Sequence, residues 1–299
     1  MRAITVDPAV EGGLRLSEVD EPELRPDQVL VEVLHLSLNF GDLNGARARP
    51  AGFLPGWDAS GVVLRASEVG ASPPAGTRVV TTMLTQRGWA ERRAVDADEV
   101  AVVPDDIDLG EAATLPVAGV TALRALRRAP VLGKRVLITG ASGGVGHFGV
   151  QLAALAGAHV IASVGSVERG AGLAELGADE VVVGLEGVNA PLQLVLDNVG
   201  GPQLAAIWPL LGEGGSVQCI GTTSRQAAAF ISLVGMRRSL EAFTKGGHSG
   251  EDMAYLLALM QAGKLHVGVG WRGSWTRIAE AADALFGRRV HGKVILDVD

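Results

Sequence analysis

Lys134-Arg-Val-Leu-Ile-Thr-Gly-Ala-Ser-Gly-Gly-Val-Gly-His-Phe-Gly-Val-Gln-Leu-Ala-Ala-Leu155 decides the fold of this chain. Val136 to Thr139 is a short β-prone run. Ala141-x-Gly143-x-x-Gly146 then opens a helix whose apolar positions Val145, Phe148, Leu152 and Leu155 recur at helical spacing. Val160 to Ala162 supplies a second strand. Such a turn needs residues without bulk. Gly143 lets the backbone approach a pyrophosphate, Gly146 lets the helix pack on the sheet, and the helix N-terminus points N–H groups at the anion. Strand, glycine turn and helix in one βαβ unit is the context in which this pattern predicts a dinucleotide ligand.

The 299 residues suggest two domains and leave room for a sizeable core. A composition of 47% hydrophobic and 20% charged residues is that of a globular protein. No apolar run reaches the ~20 residues that span a bilayer, and Met1-Arg-Ala-Ile-Thr-Val-Asp-Pro8 lacks a signal-peptide core, so the expected location is the cytoplasm. A net charge of -7 without a basic cluster argues against nucleic acid. The single cysteine, Cys219, can form no intrachain disulfide and sits in the apolar run Ser216 to Gly221, where a small buried hydrophobe is expected rather than a nucleophile.

The first third is rich in short β-like runs: Met1 to Val6, Gln28 to Leu36, Gly61 to Leu64, Arg78 to Thr82, Ala90 to Val95 and Val100 to Val103. From Leu115 the texture becomes helix alternating with strand, near Thr121–Arg128, Val136, Val160, Glu180–Val183, Leu194–Asp197 and Ser216–Ile220, which predicts a parallel doubly wound sheet. Met253 to Gln261 reads as a helix in which the only tyrosine, Tyr255, is expected to pack. The closing run Lys293-Val-Ile-Leu296 has the texture of the first third. The expected class is therefore α/β: a β-rich domain over 1–113 and 247–299, with a nucleotide-binding domain inserted at 114–246.

These motifs together resemble the medium-chain dehydrogenases/reductases, in particular their zinc-independent quinone oxidoreductase branch. The resemblance spans nearly the whole chain. It is carried by Ser37-Leu-Asn-Phe-x-Asp42, Pro55-Gly-Trp-Asp-Ala-Ser-Gly-Val-Val63, Gly76-Thr-Arg-Val79, Gly88-Trp-Ala-Glu91, Leu115-Pro-Val-Ala-Gly-Val-Thr-Ala-Leu123, the glycine turn, Leu176-Gly-Ala-Asp179, Asp197-Asn-Val-Gly-Gly201 and His291-Gly-Lys-Val-Ile-Leu296. It implies a GroES-like catalytic domain and a Rossmann domain with the active site in the cleft between them, and a homodimer joined through Rossmann edge strands at Ser239–Thr244.

In the zinc enzymes of that superfamily three motifs hold the metal. Here Asn39 stands at the first cysteine position, Trp57 at the histidine position and Val117 at the second cysteine position, and none of the three is a zinc ligand. Asp58 alone cannot hold the ion. The six histidines show no ligand spacing. The implied reaction is hydride delivery to an already conjugated acceptor, a quinone or α,β-unsaturated carbonyl. The resemblance points to Asn39, Asp42, Asn44 and Thr121 as polar groups for the developing oxyanion, although Asn39 and Asp42 can equally serve their own loop and Thr121 a helix end. Many relatives carry a tyrosine at the Asn44 position. Two other readings stay open: an enoyl-thioester reductase, and a non-catalytic NADPH-binding protein of the crystallin kind. The segments Gly45–Leu54 and Ser67–Gly76 are shorter than in typical relatives.

Cofactor choice is read at the end of the second strand. Val164 stands where NAD enzymes place an acid for the ribose 2′-hydroxyl, which permits NADP(H). Ser163, Ser166 and Arg169 match the implied 2′-phosphate set. Ala141, Ser142, Gly143, Gly144, Val145 and Gly146 match the pyrophosphate turn. Asn198 and Gly221 are implied at the nicotinamide ribose, and Phe243 and Thr244 near the carboxamide.

Overall fold

The computed structural model describes residues 1–83, 85, 87–230, 232 and 237–299. The chain begins with β1 (Arg2–Val6), β2 (Leu14–Glu18), β3 (Gln28–Leu38), α1 (Phe40–Ala46), β4 (Asp58–Arg65), β5 (Arg78–Thr81), β6 (Arg92–Asp96), β7 (Val100–Val102) and α2 (Leu109–Ala112). It continues through α3 (Val120–Leu126), β8 (Arg135–Thr139), α4 (Gly144–Leu155), β9 (His159–Val164), β10 (Glu180–Val183), β11 (Leu192–Asp197), α5 (Gly201–Ile207), β12 (Leu211–Cys219) and β13 (Ser239–Ala242). It closes with α6 (Gly250–Gln261), β14 (Val269–Ser274), α7 (Ile278–Phe286) and β15 (Lys293–Asp297). Two compact units result, one from Met1–Val120 with Gly246–Asp299 and the other from Thr121–Lys245.

In the second unit six parallel strands lie in the order β10-β9-β8-β11-β12-β13. β8 and β9 are apolar along almost their whole length because both faces are covered, as parallel strands require. Their core joins Leu137, Ile161, Leu192, Val195, Ile207 and Val217. The chain reverses direction across the sheet between β8 and β11. That reversal is the switch point where open α/β sheets hold ligands outside the carboxyl ends of their strands.

In the first unit β14-β15-β3-β4-β5-β7 form one sheet, with β6 also on β3, while β1 and β2 form a separate hairpin. All pairs are antiparallel except β14 with β15. β15 pairs with β3 across the length of the chain, Val294 opposite Leu38, so the C-terminal strand completes the sheet begun by the first third. Ile4, Leu36, Leu38, Leu43, Trp89, Trp275 and Leu296 make its main core. Where the chain re-enters this unit, the buried Glu99 carboxylate accepts the backbone N–H groups of His248 (2.7 Å) and Ser249 (3.1 Å) and anchors the start of α6.

Two packing expectations are corrected. Tyr255 is 48% exposed, because α6 turns Met253, Leu256 and Leu257 inward and leaves the intervening face to solvent. Leu155, at the last turn of α4, is 50% exposed, while Phe148 and Leu152 of the same stripe are buried.

Candidate active site

The glycine turn of the second unit is built by close approach. A Cβ on Gly146 would lie 2.4 Å from the Gly140 carbonyl oxygen and 2.6 Å from Ala141 Cα, both rigid backbone, so only glycine lets α4 start this near β8. The Ala141 N–H donates to Ser163 O (3.0 Å) and ties the turn to β9. Gly143 is the N-cap of α4. The first-turn N–H groups of Gly144, Val145 and Gly146 have no acceptor within a helix of this kind, and they converge with the positive end of its dipole. A diphosphate fits this cradle, and the residues that would hold it run from Ala141 to Gly146.

Beyond β9, Val164 is buried and offers no charge. Arg169 lies in a single 3-10 turn, Glu168–Gly170, and its Nε donates to Ser142 Oγ at 2.9 Å, so the guanidinium leans across the phosphate turn. Ser166 donates to the exposed Glu168 carboxylate and lowers its pKa. Ser163 is different. It is 1% exposed, donates to Gly184 O (2.6 Å) and accepts from Gln203 Nε2 (3.0 Å), which makes it a buried spacer between β9, β10 and α5.

At the switch point Asp197 is fully buried. It accepts from Thr139 Oγ1 (2.7 Å) and from the N–H groups of Val199 (3.3 Å) and Gly200 (3.0 Å), while burial raises its pKa. Asn198 donates Nδ2 to Thr139 O (2.8 Å) and its own N–H to Thr139 Oγ1 (2.9 Å). These bonds lock the ends of β8 and β11 together. A Cβ on Gly221 would stand 2.8 Å from Asn198 O, so the floor there is also bare backbone. Phe243 is half-buried with the Arg128 guanidinium over its ring at 5.8 Å, whereas Thr244 is exposed. Burial and then Asp197 push the Cys219 thiol up to about 11, so it carries no thiolate at neutral pH.

The first unit holds a buried polar network around the N-terminus of α1. Asn39 is the N-cap, and Asp42 Oδ2 accepts both its backbone N–H (2.9 Å) and its Nδ2 (3.0 Å). The second Nδ2 hydrogen goes to Asp58 Oδ2 at 2.8 Å. Asn39 Oδ1 accepts from Lys293 Nζ at 2.6 Å, and the same ammonium donates to Leu38 O (3.2 Å) and lies 3.9 Å from Asp58. The amide is therefore oriented unambiguously, and both of its hydrogens are spent on carboxylates. Asp42, Asp58 and Lys293 are at most 3% exposed. Burial, then the charge of Asp58, pushes the Asp42 carboxyl up to about 8. Burial lowers Lys293, against the pull of Asp58 and Asp42. Arg93, also buried, is lowered to about 10 and remains cationic. Lys293, Asp58 and Arg93 join the site through the structure. For Lys293 the signal in the sequence was a charged residue at the head of the apolar run Lys293-Val-Ile-Leu296.

Asn44 is exposed on α1, and Thr121 is buried in the first turn of α3. Trp57 and Val117 offer zinc no donor, and Asn39 presents an amide already committed to three partners. Among the described residues no three His, Cys, Asp or Glu side chains gather into a metal site. The residues at the metal positions do not fit zinc.

A chain that carries both a β-rich unit and a 3-2-1-4-5-6 nucleotide sheet with a bare-backbone phosphate turn has the fold of a nicotinamide-dependent oxidoreductase of the medium-chain type. A family model described as zinc-binding dehydrogenase matches residues 176–296. A chloroplastic quinone oxidoreductase of Triphysaria versicolor is 30% identical over 99% of this chain and 98% of its own length. A chloroplastic NADPH-dependent alkenal/one oxidoreductase of Arabidopsis thaliana is 26% identical over 94% of this chain and 74% of its own. The quinone oxidoreductase of Coxiella burnetii superposes with a TM-score of 0.86 at 27% identity, covering 100% of this chain and 99% of that one. The chain belongs to the quinone oxidoreductase branch of the medium-chain dehydrogenase/reductase superfamily.

Proposed function

We propose that the protein is an NADPH-dependent reductase of quinones and α,β-unsaturated carbonyls that works without zinc. The observation that carries this reading is a bare-backbone dinucleotide cradle combined with Asn39, Trp57 and Val117 at the metal positions. NADP(H) is the cofactor, and when bound it supplies the hydride. The N–H groups from Ser142 to Gly146 meet its diphosphate, and Arg169 is positioned for the 2′-phosphate, with Ser166 beside it. Asn198, Gly221, Phe243 and Thr244 are assigned to the nicotinamide end.

A conjugated acceptor spreads the arriving negative charge through its own π-system, so it needs a few donors near its oxygen rather than a Lewis acid. Asn44 and Thr121 are assigned to that contact. Asn39 and Asp42 are assigned to holding the start of α1, because the Asn39 amide has no hydrogen left for a substrate. The proton that completes a hydroquinone comes from solvent. We further place the enzyme in the cytoplasm as a homodimer. Within the described residues no helix is long and apolar enough to cross a membrane.

NADPH oxidation measured with a benzoquinone, a short enone, a crotonyl thioester and, in reverse, ethanol tests this reading. Quinone and enone turnover should lead and should persist in chelator. Ethanol oxidation as the fastest reaction, or activity restored by zinc, would overturn it, and turnover of no acceptor would favour a cofactor-binding protein without catalysis.

A further inference from the structure

We infer that the first unit carries a binding site for a small apolar monocarboxylate, an anion whose body is a single ring, in a cavity between β1, α1 and α7; the site stands apart from the reductase reading above. The cavity measures about 240 Å³. It is lined by Val6, Leu14, Leu43, Ala46 and Ala282, each at most 7% exposed, and by the half-buried ring of Phe286. Pro8, Gly12 and Arg47 complete the lining and are exposed, so the cavity opens to solvent on their side.

Small residues leave this space open. Ala46 of α1 and Ala282 of α7 offer only methyl groups, and the 3-10 turn Glu11–Gly13 brings two glycines to the third side. A Cβ on Gly12 would come 3.5 Å from Ala279 Cβ, so the turn rests on the start of α7, whereas Phe286 is that helix's last residue. Cores rarely contain voids much larger than a water molecule, because each one forfeits packing contacts. An engineered cavity of about 150 Å³ with aliphatic and aromatic walls takes up benzene, so the larger cavity here has room for a ring and its substituent.

Arg47 decides which substituent. Among the described residues that line the cavity it alone has a polar side chain. Its guanidinium lies over the Phe286 ring, 3.9 Å from the centroid, and Phe40 meets the same ring edge-on at 5.5 Å. Stacking uses the face of a guanidinium and leaves its N–H edge available. No carboxylate among the described residues pairs with Arg47: Asp7, beside the lining strand, is held by Arg15 (3.1 Å), and Asp283, beside Ala282, by Arg289 (2.6 Å). A positioned cation at the rim of an otherwise apolar cavity selects an apolar anion, and its planar fork of donors matches a carboxylate. An apolar cation of the same size would be repelled.

The test titrates benzoate, and separately the cationic ring benzylamine, into wild type, Arg47→Gln and Ala282→Leu by calorimetry, with NADPH saturating so that the phosphate turn is closed to the anion. Benzoate should bind wild type with a Kd of about 1 mM or below, and the urea midpoint of the first unit should rise with its concentration. Arg47→Gln should weaken it about 3- to 10-fold, the worth of a charged pair at a partly exposed site. Ala282→Leu, which fills the cavity, should abolish binding, and benzylamine should not bind. No binding of benzoate, an unchanged affinity in Arg47→Gln or in Ala282→Leu, or equal binding of benzylamine would overturn the site while leaving the reductase reading intact. A measurement on wild type alone avoids any folding defect of the leucine variant: the methyl resonances of Val6, Leu14 and Leu43 should shift when benzoate is added, and unmoved methyls would also overturn the site.

Discussion

Lys293 is the residue on which the buried network of the first unit turns. Its ammonium fixes the Asn39 amide, and the amide in turn distributes one hydrogen to each of two carboxylates. Lys293→Met would leave Asp58 and Asn39 Oδ1 buried without their cation. Breaking a buried pair from one side costs about 3–5 kcal/mol, so the urea midpoint of the first unit should fall accordingly. Asp42 gives a second prediction, with a definite sign. Its folded pKa of about 8 lies above the ordinary value of 3.8, so its contribution to stability is complete at acid pH. It is lost as pH rises from about 4 toward about 8, at up to about 1.4 kcal/mol per pH unit. Asp42→Asn should flatten the rise of stability on acidification between pH 8 and 5, measured by denaturant unfolding at each pH. An unchanged slope would mean that the carboxyl is ionised in the folded protein.

At the scale of elements, Arg169 and its 3-10 turn carry cofactor choice. Arg169→Ala should weaken NADPH by about 1.5–3 kcal/mol, the worth of a hydrogen bond to a charged group, and leave NADH nearly unchanged in titrations followed by fluorescence. Equal losses would place the arginine on the diphosphate, toward which its bond to Ser142 already leans. Elements also show what could be read beforehand. The β8–α4–β9 unit was legible because its strands are continuous apolar runs and its turn admits only glycine at 146. Helix α1, Phe-Gly-Asp-Leu-Asn-Gly-Ala, was not, since two glycines in seven residues argue against a helix; Asp42 caps it and the buried network holds it in place. β14 was hidden for a similar reason, having two glycines and a largely exposed face, and it exists because β15 supplies a partner. Asn39 and Asp42 could be picked out only through the family positions that the resemblance implied. Lys293 reaches them across 254 residues of sequence, a distance no local pattern spans.

For the molecule as a whole, β13 is a sheet edge of four residues whose outer backbone row has no strand partner among the described residues, with Leu240 36% exposed. Edges of this kind are normally blunted or paired, and pairing across a two-fold axis is the proposal made above. Light scattering at micromolar concentration should return about twice the 30.8 kDa of one chain. A single-chain mass would refute it, and if the wild type is dimeric, Leu240→Lys should shift it toward that mass.

The opposite edge of the same sheet has another consequence. β10 has four residues, Val181 and Val183 are 40% and 38% exposed, and neither the 165–179 connection before it nor the 184–191 connection after it contains an α-helix. Few apolar contacts protect its backbone, so its amides should trade their hydrogens for deuterium well before those of β8 and β11. Arg169 and Ser166 lie in the first of those connections, so NADPH should slow this exchange far more than NADH does. The thin edge would then be the part of the protein whose local opening reports which nicotinamide cofactor is bound.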